Sequence, residues 1–197
     1  FGIPFTIFCI VGMMNAFNYI DGLNGLCASF SLVCLTSIIM IVNAFNSPNL
    51  LPLILPAGAI VGFLMYNLGI FGDQRNVFLG DNGSQALGFL CLWILVYFSQ
   101  FDSYGFSPVT ALWLVAILFM DSVRVLSTRI ISGLRGTNIF KAKRDHIHHK
   151  LQDYGFSNEL VYSVLILSAG SLSALGIFLN KIFQESIYYS FYAFLIL

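Results

Sequence analysis

Six apolar runs, each close to the length of a bilayer crossing, constrain this chain more than any other feature. They are read at about Gly2 to Asn18, Leu23 to Val42, Leu51 to Ile70, Ser84 to Ser99, Pro108 to Ile131 and Leu160 to Leu179, and only the fifth carries any Asp, Glu, Lys or Arg. A helix of roughly 20 residues crosses about 30 Å of hydrocarbon and satisfies its own backbone there. A soluble domain of 197 residues would need a polar surface that 58% hydrophobic and 9% charged residues do not supply. The expected fold class is therefore all-α, a polytopic membrane protein with six complete transmembrane helices and a truncated seventh from Ile187, in one domain over 1–197. The chain opens at Phe1 within an apolar run and closes on a run too short to span, as expected of a piece of a longer protein. Cys9, Cys27, Cys34 and Cys91 lie within apolar runs without C-x-x-C spacing, so neither a disulfide framework nor a thiolate metal site is indicated.

Charge then orients the helices. With the first, third and fifth connections on one side, that side and its helix ends hold Arg75, Arg124, Arg129, Arg135, Lys141, Lys143, Arg144 and Lys150, and only Lys181 falls on the other. Such an excess marks the cytoplasmic side. The span parity was set by hydropathy alone, so the charges are an independent check on it.

Three polar islands fall on that same side. In NAFNYIDGLNG, residues 15–25, Asn15, Asn18, Asp21 and Asn24 recur every third position, which on a helix end draws a curved polar stripe. Capping and turning account for Asp21 and Asn24 but not for Asn15 and Asn18, which lie upstream in the apolar run. In FLGDNGSQALGF, residues 78–89, Asp81 stands between Gly80 and Gly83 just before a helix. It reads either as an N-cap or as a carboxylate holding Mg²⁺ against phosphate oxygens. The third island, KAKRDHIHHK, residues 141–150, holds all three histidines of the chain, His146, His148 and His149. A solvated basic loop explains its cations; the histidines suit phosphate contact or proton transfer near neutral pH, and cations around them disfavour zinc. Asp121, about 20 Å along its helix from Pro108 at 1.5 Å per residue, pairs by i, i+3 spacing with Arg124 or lines a polar cavity. Loops on one side that bring carboxylates, histidines and cations together suit a substrate carrying several phosphates.

These blocks, NAFNYIDGLNG, FLGDNGSQALG and RDHIHHKL, in this order and spacing, resemble the polyprenyl-phosphate N-acetylhexosamine-1-phosphate transferases, glycosyltransferase family 4. The resemblance implies transfer of an N-acetylhexosamine-1-phosphate, GlcNAc-1-phosphate by the H-x-H-H form of the histidine block, from a UDP-sugar to undecaprenyl phosphate. UMP is released at the cytoplasmic face of the bacterial inner membrane. It implies Mg²⁺, or Mn²⁺ in its place, at Asp81, catalytic roles for Asp21, Asp81, His146, His148 and His149, and substrate contacts from Asn15, Asn18, Asn24 and Arg144. Implied partners are the UDP-N-acetylhexosamine, undecaprenyl phosphate and the bilayer, with a homodimer left open and no nucleic acid. Two departures stand out: Asn24 occupies the place of a second aspartate in the family's D-G-x-D-G block, and the upstream pair of adjacent aspartates is absent from this sequence. The acceptor chemistry is consistent, since a phosphate monoester with a second pKa of about 6 is mostly dianionic at pH 7.

Two other classes compete. A secondary transporter would place its polar groups near the bilayer midplane rather than at one face. A non-catalytic scaffold would give Asp81 and the histidines nothing to do.

Overall fold

The computed structural model describes residues 2–44, 50–72, 74, 76–100, 107–134, 145–183 and 187–196. Among them the chain is all-helical: α1 Gly2–Ile20, α2 Leu26–Ala44, α3 Leu51–Asn67, α4 Gly80–Ser99, α5 Pro108–Leu114, α6 Ala116–Leu134, α7 Ile147–Asp153, α8 Asn158–Ile182 and α9 Ile187–Ile196. The protein is an all-α polytopic membrane protein. Helices α1, α4 and α8 are each long and apolar enough to cross a bilayer, and α5 with α6 forms a fourth crossing if the bent pair counts as one. Leu26–Val42 and Leu51–Asn67 are shorter apolar helices, so helix length alone supports three or four crossings against the six expected.

Local chemistry fixes the ends. Ser107 and Ser157 accept hydrogen bonds from the Thr110 and Leu160 amides at the starts of α5 and α8, the preferred N-cap arrangement. Two helices end on a glycine at positive φ, Gly69 after α3 and Gly155 after α7. In each the next two amides reach back to the last turn, Gly69 to Tyr66 and Ile70 to Met65, Gly155 to Gln152 and Phe156 to Leu151. This is the Schellman closure, in which a left-handed residue satisfies carbonyls that the helix leaves unpaired.

Small residues set the helix spacing. A Cβ on Gly88 of α4 would lie 2.9 Å from the Met14 Cα of α1, and one on Gly176 of α8 would lie 2.3 Å from the Trp113 Cβ of α5. Backbones in lipid approach this closely only over such residues. Hydrogen bonds tie further pairs: Ser29 Oγ of α2 with Tyr162 Oη of α8 at 2.7 Å, Thr110 Oγ1 of α5 to Asn180 Oδ1 of α8 at 2.7 Å, and Trp113 Nε1 of α5 to Ser190 Oγ of α9 at 3.2 Å. Such bonds in membranes contribute on average about 0.6 kcal/mol each. They fix register more than they stabilise, and close packing around buried Trp113, Phe17 and Leu35 carries the rest.

The fifth span differs from its expectation. A single helix over Pro108–Ile131 is replaced by α5 and α6, bent 81° apart at Val115. Sharp kinks almost always occur at proline, glycine or an inserted group, yet Leu114, Val115 and Ala116 offer none of these. The cause is tertiary: α5 is held on α8 through Trp113 and Gly176, while α6 turns to meet α1 and the histidine segment. The 20 Å count from Pro108 to Asp121 assumed a straight helix and does not apply. The connection expected over Ser132–Glu159 likewise contains a helix, α7.

Candidate active site

The three polar islands meet. Asn18, on the last turn of α1, donates its side-chain amide to Asp81 Oδ1 at 3.2 Å and to Ser84 Oγ at 3.0 Å, both on the first turns of α4. Helix α4 begins at Gly80, one turn before the expected Ser84, and Leu79 takes the cap position without a side-chain bond. The capping reading of Asp81 therefore fails: its carboxylate lies exposed in the first turn and is oriented by Asn18. Ser84 is buried, closes onto the Gly80 and Asp81 carbonyls, and is a supporting residue the sequence did not single out.

Asp21 sits in the turn between α1 and α2, half-buried, with no side-chain hydrogen bond among the described residues. Burial first, and the negative charge of Asp81 second, push its carboxyl up to about 6. A carboxylate whose ionisation is opposed by burial and by a neighbouring carboxylate is one that a cation would relieve. Among the described residues no cluster of three or more His, Cys, Asp or Glu could hold a metal. The pair nonetheless fits Mg²⁺, which takes one or two carboxylates and fills its shell with water and substrate phosphate oxygens.

The first and third islands touch through Gly22 and Tyr19. His148 is fully buried, and a Cβ on Gly22 would lie 2.4 Å from its Nε2. Glycine after Asp21 thus makes room for an imidazole. The Tyr19 ring stacks on His146 with centroids 4.8 Å apart and 28° between planes. His146, His148 and His149 form a contiguous row, with centroid spacings of 6.3 and 4.0 Å, and His149 Nδ1 lies 3.1 Å from Gln152 Oε1.

Asp121 and Arg124 form the expected i, i+3 pair at 2.6 Å. Asp121 does more than neutralise: it also accepts from the Ile147 amide at 3.0 Å and meets His146 Nδ1 at 2.8 Å. Asn15 is half-buried one turn before Asn18, and Asn24 is exposed in the turn. Neither is hydrogen-bonded to the cluster among the described residues. The stripe expected of Asn15, Asn18, Asp21 and Asn24 is interrupted because α1 ends at Ile20. Arg144, with Arg75, Arg135, Lys141 and Lys143, lies outside the described residues.

Beside this cluster runs an apolar groove of about 250 Å³. Its walls come from α1, α4, α5 and α6, among them Phe8, Met13, Leu95, Val115, Phe119 and Leu126, and it extends to Ser122, next to Asp121.

Comparison with known proteins agrees with this arrangement of blocks. Residues 1–99, which contain the first two islands, match the model of glycosyl transferase family 4. The chain belongs to glycosyl transferase family 4. Within it, similar proteins include the undecaprenyl-phosphate alpha-N-acetylglucosaminyl 1-phosphate transferase of Escherichia coli (strain K12), 37% identical over 179 residues, 90% of this chain and 48% of that protein. The protein of the same name from Yersinia pestis is 32% identical over 178 residues, with the same coverage, and that of Pasteurella multocida (strain Pm70) is 34% identical over 140 residues, 71% of this chain and 38% of that protein. The chain spans about half the length of the first of these relatives.

Proposed function

We propose that the protein containing this chain transfers GlcNAc-1-phosphate from UDP-GlcNAc to undecaprenyl phosphate at the cytoplasmic face of a bacterial inner membrane, releasing UMP. The observation that carries the reading is the meeting of Asp21, Asp81 and the histidine row in one cluster beside an apolar groove. A phosphate headgroup needs the cluster, and a polyprenyl tail needs the groove. In the reaction an oxygen of the lipid phosphate forms a bond to the sugar-linked phosphorus of the donor. The bond from that phosphorus to the bridging oxygen breaks, and its electron pair leaves with UMP.

Asp21 and Asp81 are the residues that would hold Mg²⁺, whose contribution is to neutralise the diphosphate charge and that of the leaving group. Asn18 keeps the Asp81 carboxylate in place. His146 and His149 face the phosphates and His148, buried against Gly22, supports the Asp21 turn, with Arg144, Asn15, Asn18 and Asn24 as substrate contacts; Mn²⁺ would serve the same oxygen ligands. The transporter reading loses ground because the polar groups gather at one end of α1 and α4. A scaffold gains no support from an Asp21 carboxyl whose ionisation is opposed by burial and by Asp81. The direct test is UMP formation by the full-length protein from UDP-GlcNAc, dependent on both undecaprenyl phosphate and Mg²⁺. Absence of UMP with either one omitted, and its formation with both, is the expected result; no turnover with both would overturn the reading.

The raised Asp21 carboxyl adds a pH signature. Because its folded value lies above the ordinary carboxylate value, folding is favoured by the neutral form and loses that contribution as pH rises through about 6. Mg²⁺ binds the ionised form and offsets the loss. Thermal unfolding of the full-length protein should therefore show a larger Mg²⁺-induced rise in Tm at pH 7.5 than at pH 5.5, and Asp21→Asn should flatten that difference. An equal rise at both pH values in the parent would remove Asp21 from the cation site.

A further inference from the structure

The ionisable pair on α6 is placed more elaborately than charge neutralisation requires. Asp121 is buried at 6% exposure on a membrane helix, where an ionisable side chain is costly and ordinarily functional. With Arg124 it clasps the backbone on both sides of His146: Arg124 Nη2 donates to the Asp145 carbonyl, and the Ile147 amide donates to Asp121 Oδ1. The second carboxylate oxygen, Oδ2, lies 2.8 Å from His146 Nδ1. Below, Tyr19 stacks on the imidazole. The charged groups around Asp121 are thus Arg124 on its own helix and His146 ahead of α7, with Asp145 near Arg129 at 3.7 Å.

The hydrogen on the ring can be assigned from these partners. Oδ1 already accepts from Arg124 and from a backbone amide, so Asp121 acts as an acceptor and His146 Nδ1 carries the hydrogen. His146 Nε2 has no hydrogen-bond partner among the described residues. We propose that Asp121 is the positioning residue for His146, fixing its Nδ1–H tautomer so that Nε2 is left to accept a proton from a phosphate oxygen of the substrate. In water at pH 7 the lipid phosphate is mostly dianionic, but beside the Asp21 and Asp81 carboxylates like charge favours its monoanion, and the proton of that monoanion moves to Nε2. The phosphate becomes the dianionic nucleophile, and the imidazolium, backed by Asp121, then donates a hydrogen bond to it. Arg124 shares the same carboxylate and holds it in place while the ring changes charge.

This rests on the phosphoryl-transfer reading given above, and the test separates the two. In the full-length parent, ¹⁵N spectroscopy of labelled histidine, assigned with His146→Gln, should show neutral His146 as the Nδ1–H tautomer. Asp121→Asn keeps the shape but turns a donor towards Nδ1, so the ring should switch to Nε2–H. Turnover should then fall about 100-fold, the lower end of what a positioned proton acceptor contributes, with KM for the UDP-sugar within about 3-fold of the parent. Asp121→Glu, which restores an acceptor, should recover part of the loss. An Nε2–H tautomer in the parent overturns the proposal, and so does an Asp121→Asn protein with unchanged kcat. If Asp121→Asn does not accumulate, the parent spectrum still decides. If the parent releases no UMP, the transferase reading fails, whereas the tautomer assignment stands or falls on the spectrum alone.

Discussion

Asp81→Asn in the full-length protein should lower the rate of UMP release by about 1,000-fold while leaving membrane insertion and thermal unfolding without Mg²⁺ close to the parent. The size follows from what one aligned electrostatic group at a transferring centre contributes, about 10²–10³-fold, with the upper end expected because the carboxylate would also hold the cation. The small structural cost follows from geometry. Asp81 is exposed and does not cap α4, and an asparagine oxygen can still accept the bond from Asn18. Losing the Asp81 charge removes the lesser of the two causes that raise the Asp21 carboxyl, burial being the greater, so stability without Mg²⁺ near pH 7.5 should be no lower than the parent's. Near-parental turnover at limiting Mg²⁺ would remove Asp81 from the reaction.

The polar islands were legible because they interrupt apolar runs, where each Asn, Asp or His must find a partner. That logic located Asn18, Asp81 and the histidines, and span parity put them at one end of the bundle. What it could not supply was long-range packing. The break at Val115 has no sequence mark, since the contact that fixes α5 joins Trp113 to Gly176, more than sixty residues away. Spacing revealed the Asp121–Arg124 pair, but no periodicity links Asp121 to His146 or to the Ile147 amide. No spacing marks Gly22, whose lack of a side chain admits His148, or Tyr19, whose ring supports His146. The groove was invisible for a related reason: Phe8, Leu95 and Phe119 are apolar like any lipid-facing residue, and only the packing of α1, α4 and α6 brings them to one wall.

Replacing His146, His148 and His149 together with Gln should abolish at least about 99% of turnover, since positioned proton-transfer groups alone contribute roughly 10²–10⁴-fold. Orientation in the membrane should be unaffected, because it depends on Lys and Arg. The three rings do not contribute alike. His148 is buried against Gly22, so His148→Gln alone should shift the Asp21 turn and raise KM as well as lower kcat. His146 is held at both its ring and its flanking backbone, so His146→Gln should act mainly on kcat. His149, tied to Gln152 on the same short helix, should show the smallest single effect. Lys141→Gln with Lys143→Gln is the control: it removes two cations from the same basic segment and leaves the imidazoles in place, and charges in solvent are screened within about 8 Å at physiological salt. A double lysine variant as impaired as the triple histidine variant would mean that the segment works through its charge, and the imidazoles would lose their assigned role. A triple histidine variant as fast as the parent from pH 6 to pH 9 would leave the segment as a topological anchor alone.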